Sequence, residues 1–203
     1  MLSSYDIEDA KRELRNHTEE IAKNDFSFLE NCSYRFKVVA YLFENRFNLL
    51  KYLDTIYNNM FRLVDPDVIK KLTIPNNIKE IQRDGFLGCK ATEIIFNNYN
   101  IRILPERLFS DNVYLKKIIL PQNLKIIPSY CFFNSRELKE VMLPDSVQII
   151  GKGAFENCNE ELKITANYRT MNKIKAPKSE IEFLKSHLSF IHSENEENEE
   201  DLL

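Results

Sequence analysis

Apolar positions between residues 68 and 158 recur at a 23-residue interval, far longer than the period of a helix or a strand. Phe86, Phe109, Phe132 and Phe155 keep that interval. So do Ile78, Ile101, Leu124 and Val147, and again Ile81, Leu104, Ile127 and Ile150. Another column runs Pro75, Asn98, Pro121, Pro144, and each unit closes on Cys89, Asn112, Ser135 or Cys158. Self-similarity at a fixed period of roughly 20–29 residues predicts coils that stack, each burying its apolar face on the next.

Inside a unit, Leu72-Thr73-Ile74, Ile118-Ile119-Leu120 and Val141-Met142-Leu143 precede the Pro column. Alternation and β-branching predict a short strand there, and proline, which has no amide hydrogen, ends it. Leu115, Ile118 and Leu120 should point inward, as should Leu138, Val141 and Leu143. Leu162 to Ala166 reads as a fifth strand, because Ile164 lies 23 beyond Val141.

Residues 1–66 change to a helical period. Ile7, Ala10, Leu14, Ile21 and Ala22 mark one stripe, with Ser3 or Ser4 as cap. Ser27-Phe28-Leu29-Glu30 reads as a capping box for a second helix with Phe28, Cys32, Phe36, Val39, Ala40, Phe43 and Phe47 inward. Leu50, Leu53, Ile56, Tyr57, Met60, Phe61 and Val64 predict a third, halted at Asp65-Pro66. A solenoid's first coil has an open apolar end that terminal units must cover. These helices are therefore expected to cap it, the alternative being an independent recognition domain. After residues 67–168, a helix beginning at Ser179, with Ile181, Leu184, Leu188 and Ile191 on its apolar side, reads as the second cap over 169–192. The stretch 193–203, SENEENEEDLL, is too acidic to bury much and is expected to be disordered.

Composition adds exclusions. Residues 1–67 carry 9 Lys/Arg against 12 Asp/Glu, residues 68–168 carry 14 against 11, and residues 169–203 carry 5 against 8. A solenoid of +3 is too weakly basic to imply nucleic acid. The opening residues have no basic-then-apolar leader and no run of about 18 apolar residues occurs, so no membrane is expected and a cytoplasmic location is. Four cysteines without a CxxC suggest neither a zinc site nor a redox pair. Of the three histidines, His17, His187 and His192, the last two lie five residues apart and do not share a helix face for a metal. No HExxH, GxSxG or glycine-rich phosphate loop occurs, so neither an enzyme nor a cofactor is expected.

The unit Leu115-x-x-Ile118-x-Leu120-Pro121-x-x-Leu124-x-x-Ile127-x-x-x-x-Phe132, and its sibling from Leu138 through Pro144, Val147, Ile150-Gly151 and Ala154-Phe155 to Cys158, resemble the BspA-like (treponemal-type) leucine-rich repeat. The resemblance covers about residues 68–168. It implies an α+β leucine-rich-repeat solenoid with a short parallel sheet on its concave face, and a role in adhesion or protein binding. Repeat two departs from the pattern at Asn98 and Leu108, so its coil is expected to be distorted.

Residues between the inward positions of each strand face outward. The 23-residue register places Lys71, Ile94, Lys117, Glu140 and Lys163 in one outward column, and Thr73, Phe96, Ile119, Met142 and Thr165 in the next. Phe96, Ile119 and Met142 then form an apolar strip flanked by charges, a candidate protein-binding face. The strip competes with a plain β-propensity reading of the same columns. A one-residue slip in repeat two would bury Phe96 and expose Ile95. The function expected is a non-enzymatic interaction module for a protein partner. Its alternatives are a self-associating structural component of a larger particle such as a virion, or a surface adhesin.

Overall fold

The computed structural model describes residues 2–23, 25–45, 48–62 and 69–190. The expectations for Phe47, Val64, Asp65-Pro66, Ile191, His192 and the acidic stretch 193–203 lie outside those residues.

The 23-residue interval is realised as parallel strands lying coil over coil. Strands β2 (Lys71–Ile74), β4 (Glu93–Phe96), β5 (Lys117–Ile119), β7 (Glu140–Met142) and β9 (Lys163–Ala166) pair in that order. A sixth, β10 (Leu188–Phe190), joins β9 in parallel. Each coil then turns into a narrower rear ribbon, where neighbouring coils pair again except between Lys79–Ile81 and Arg102–Leu104. There β1 (Thr55–Ile56) pairs with β3 (Glu80–Ile81), and β6 (Ile126–Ile127) with β8 (Ile149–Ile150). Single parallel bridges extend the second pair to Ile103 on one side and Lys175 on the other.

Between the two ribbons runs an aromatic spine. Centroids of Phe61, Phe86, Phe109, Phe132 and Phe155 follow at 5.2, 5.1, 5.3 and 5.3 Å. Phe43 stands 6.3 Å beyond one end; Phe183, 6.1 Å beyond the other, is covered in turn by the His187 ring at 4.0 Å. Ring pairs at these separations add about 0.5–1.5 kcal/mol each beyond the area they bury. The coil can close because the residue before Cys89, Asn112, Ser135 and Cys158 is left-handed each time: Gly88, Asp111, Asn134 and Asn157, with φ of 64°, 57°, 58° and 58°. Glycine, asparagine and aspartate are the residues that reach this region at least cost.

The N-terminal region differs from the expected three helices. α1 (Ser4–Asn16) is capped by Ser3, whose hydroxyl accepts from the Asp6 amide while the Asp6 carboxylate accepts from the Ser3 amide. The stripe then breaks at His17, which stacks on Phe28 at 4.2 Å, before the short α2 (Thr18–Ala22). The expected capping box at Ser27 is a single 3₁₀ turn, Ser27–Glu30, without a side-chain cap, and the helix proper is α3 (Arg35–Glu44). The expected third helix is absent among the described residues. Leu49–Tyr52 is a 3₁₀ turn, β1 follows, and Phe61 enters the spine, so this segment folds as a further coil. A coil's inward positions, such as Leu50, Leu53 and Ile56, fall three apart and imitate a helical stripe.

At the other end, after the short α4 (Tyr168–Met171), α5 (Lys178–His187) packs over the last coil. Its Glu180 carboxylate is buried and accepts from the Gly153 amide at 2.5 Å and from the Ser179 hydroxyl at 2.7 Å. Leu188, expected on the helix, instead opens β10.

Candidate functional site

The six-stranded sheet turns one side to the spine and the other to solvent, so register decides which residues a partner could touch. Four of the five central strands keep the sequence interval. The second does not. Lys71 lies beside Glu93, Leu72 beside Ile94, Thr73 beside Ile95 and Ile74 beside Phe96; Glu93 and Ile95 then lie beside Lys117 and Ile119. The step is 22 residues into this strand and 24 out of it.

Ile94 and Phe96, both expected to face outward, are therefore buried. Phe96 lies beside the spine, 6.2 Å from the Phe86 ring and 6.3 Å from that of Phe109. Glu93 and Ile95 take their places outside. One residue is missing between Cys89 and the inward Ala91, and one, Asn97, is extra before the Pro column. The two changes cancel, leaving the 23-residue interval intact in every other column. Asn98 makes this possible. Its amide nitrogen donates to the carbonyls of Pro75 at 3.0 Å and Ile78 at 2.6 Å, and its oxygen accepts from the amides of Asn100 at 2.7 Å and Ile101 at 2.9 Å. With all these bonds made, the desolvation cost of the buried amide is offset. The frame was readable in Ala91-x-x-Ile94-x-Phe96, which repeats the inward spacing of Leu115-x-x-Ile118-x-Leu120.

In the corrected register the first outward column reads Lys71, Glu93, Lys117, Glu140, Lys163: charge alternates at every step. Lys117 Nζ meets Glu140 Oε2 at 2.7 Å, and Lys71 reaches Glu93 at 4.0 Å. The hydrogen bond to Glu140 raises the Lys117 pKa above its ordinary value, and the bond from Lys117 lowers that of Glu140, with the Lys163 charge acting the same way. Beside this ladder runs Thr73, Ile95, Ile119, Met142, Thr165, ending at Ser189 of β10. Thr73 and Met142 are exposed, Met142 by 48 %, while Ile95 and Ile119 are half-buried. The outer face is thus an apolar centre of three residues, hydroxyl-bearing at both ends and flanked by charges that pair among themselves.

Burial raises the thiols of Cys89 to about 11 and Cys158 to about 12, and raises that of Cys131 well above its ordinary value, so all three stay protonated. The closing column is structural: Ser135 Oγ donates to the Phe109 carbonyl at 2.8 Å and Cys158 Sγ to that of Phe132 at 3.0 Å. No group of three or more His, Cys, Asp or Glu side chains that could hold a metal ion occurs among the described residues. Nor is any helix among them long and apolar enough to cross a membrane.

Among solved structures, the chain is similar to a leucine-rich repeat protein from Eubacterium ventriosum ATCC 27560, with 27 % identity over 45 % of this chain and 31 % of that one, at a TM-score of 0.38. It is also similar to the pneumococcal vaccine antigen PcpA, with 18 % identity over 69 % of this chain and 44 % of that one, at a TM-score of 0.41. The chain thus spans less than half the length of either. No curated protein matches it. The family model of the BspA type leucine rich repeat region matches in six copies over residues 33–162, reaching back past the first obvious repeat to the segment that carries β1 and Phe61. The chain belongs to the BspA type leucine rich repeat family.

Proposed function

We propose that the protein is a non-enzymatic interaction module that binds a protein partner through the outer face of its six-stranded sheet. The observation that carries this reading is the contiguous Ile95–Ile119–Met142 column, apolar and accessible on a face whose neighbouring charges are already paired. Contact with such a strip releases ordered water at about 25 cal/mol per Å² of apolar area covered. The charge ladder beside it fixes the orientation of whatever docks. Of the residues first expected there, Ile119, Met142, Thr73, Lys71, Lys117 and Glu140 remain part of the surface. Glu93 and Ile95 replace Ile94 and Phe96. Leucine-rich repeat proteins of this family are generally protein-binding, which supports the same conclusion.

The test is affinity capture from the source cell with the wild-type chain beside an Ile119→Glu, Met142→Lys double variant. The variant should keep the wild-type circular dichroism spectrum and lose the specific partner. A folded double variant that retains every partner at wild-type yield would defeat this reading.

A further inference from the structure

The rear ribbon carries a second surface with the opposite electrostatic character. In each coil, two consecutive residues stand outside between two buried ones: Arg102-Ile103 between Ile101 and Leu104, Lys125-Ile126 between Leu124 and Ile127, Gln148-Ile149 between Val147 and Ile150. The parallel pairings Ile103–Ile126 and Ile126–Ile149 bring the three isoleucines into one column. Ile103 is 60 % exposed and Ile149 is 41 % exposed, so this strip is as open as the one on the sheet. Lys175 continues the column past Ile149.

The cations here are not spent. Arg102, Lys125 and Lys175 have no carboxylate within ion-pair distance among the described residues, whereas Lys79 reaches Asp54 at 3.5 Å.

The ribbon is also open at one junction. Lys79 donates its amide to the Asp54 carbonyl at 2.6 Å, Lys125 to Arg102 at 2.7 Å, Gln148 to Lys125 at 2.9 Å and Lys175 to Gln148 at 2.8 Å. The corresponding bond from Arg102 to Lys79 is not made, and no backbone bond joins Lys79–Ile81 to Arg102–Leu104. Asparagine side chains hold the coils together instead: Asn100 donates to the Asn76 carbonyl at 2.6 Å and Asn98 to those of Pro75 and Ile78. The gap is a cleft of about 330 Å³ lined by Lys79, Glu80, Ile81, Arg102, Ile103 and Leu104 among others, leading directly onto the isoleucine column.

We propose that this cleft and column dock an acidic segment of a partner protein that carries apolar side chains at intervals. The apolar side chains cover Ile103, Ile126 and Ile149, and the carboxylates meet Arg102, Lys125 and Lys175. Charge complementarity selects the occupant: three cations without an ion pair among the described residues, beside an apolar strip, favour an acidic segment and repel a basic one. This surface is separate from the outer sheet face, so either can fail alone.

The probe is a fluorescein-labelled synthetic twelve-residue peptide of repeated Glu-Leu-Glu, with Glu-Gly-Glu and Lys-Leu-Lys peptides of equal length beside it. Fluorescence anisotropy with the full chain at low salt should show saturable binding of Glu-Leu-Glu alone. The double variants Arg102→Glu, Lys125→Glu and Ile103→Ser, Ile126→Ser should each weaken it at least tenfold while keeping the wild-type thermal midpoint. Ile119→Glu, Met142→Lys should leave it unchanged. The proposal is overturned if Glu-Leu-Glu does not bind, if Lys-Leu-Lys binds as well, or if the folded rear variants bind like wild type. Binding that emerges only after deletion of residues 193–203 would assign the surface to this chain's own acidic stretch, and would equally overturn a partner as occupant.

Discussion

The outer sheet face and the rear ribbon are built from the same coils, yet they treat charge in opposite ways. On the sheet, each lysine has a glutamate on the neighbouring strand and the ladder runs Lys71, Glu93, Lys117, Glu140, Lys163. On the rear, Arg102 and Lys125 follow one another with no acid between them. Cross-strand pairs of opposite sign support a sheet, and like charges placed opposite weaken it. The sheet has thus used its charges to hold its own strands in register, leaving the apolar column to make contacts. The rear ribbon, only two residues wide in each coil, pairs Lys79 with Asp54 but leaves Arg102, Lys125 and Lys175 for solvent or for a ligand.

The comparison breaks most severely when the part common to both faces is removed. Phe109→Ala or Phe132→Ala empties the middle of the spine and should cost about 3–5 kcal/mol in urea unfolding, with both faces lost together. Glu180→Ala leaves the buried Gly153 amide without its acceptor. It should cost about 1–3 kcal/mol and expose α5 to hydrogen exchange before the central coils. Lys117→Glu sets three carboxylates in a row with Glu93 and Glu140, and should lower the thermal midpoint by less than either of those changes. Arg102→Glu, with no carboxylate within ion-pair distance of the arginine among the described residues, should leave the midpoint where it was.

Acid provides the mildest separation of the two faces. The Glu140 pKa is depressed, so the stability from its pair with Lys117 is complete above the ordinary carboxylate range and disappears as pH falls through the lowered value. Asp6, held to about 2 by the Ser3 hydroxyl and then by Lys37, behaves in the same way where α1 meets α3. Carboxyl NMR titration should find both below reference.

The coil interval, the four-membered spine from Phe86 to Phe155 and the strands before the Pro column could be read from the chain because they repeat without interruption. The placement of Ile94 and Phe96 could not be read from the interval. A deletion before Ala91 and an insertion at Asn97 cancel, so every column outside the strand stays in step while the strand itself turns over. Phe61 escaped because it lies 25 residues before Phe86 instead of 23, and Phe183 because it arrives on a helix. The second outward surface was equally hidden, since Ile103, Ile126 and Ile149 resemble core residues until the pairing shows which side of the ribbon they occupy.

The displaced strand of the second coil has a consequence for how such a chain can grow. Residues 113–135 begin and end in step with their neighbours, so a second copy inserted after Ser135 would find its ring, strand and turn already matched. The stretch from Lys90 to Asn98 has no such freedom. Its offset is keyed to Asn98 and to the strands on either side, and copied elsewhere in the ordinary register it would turn Thr92 and Asn97 toward the interior. A duplication that preserves the fold therefore enters beyond residue 112, and the cleft at Lys79 and Arg102 stays single however many coils are added.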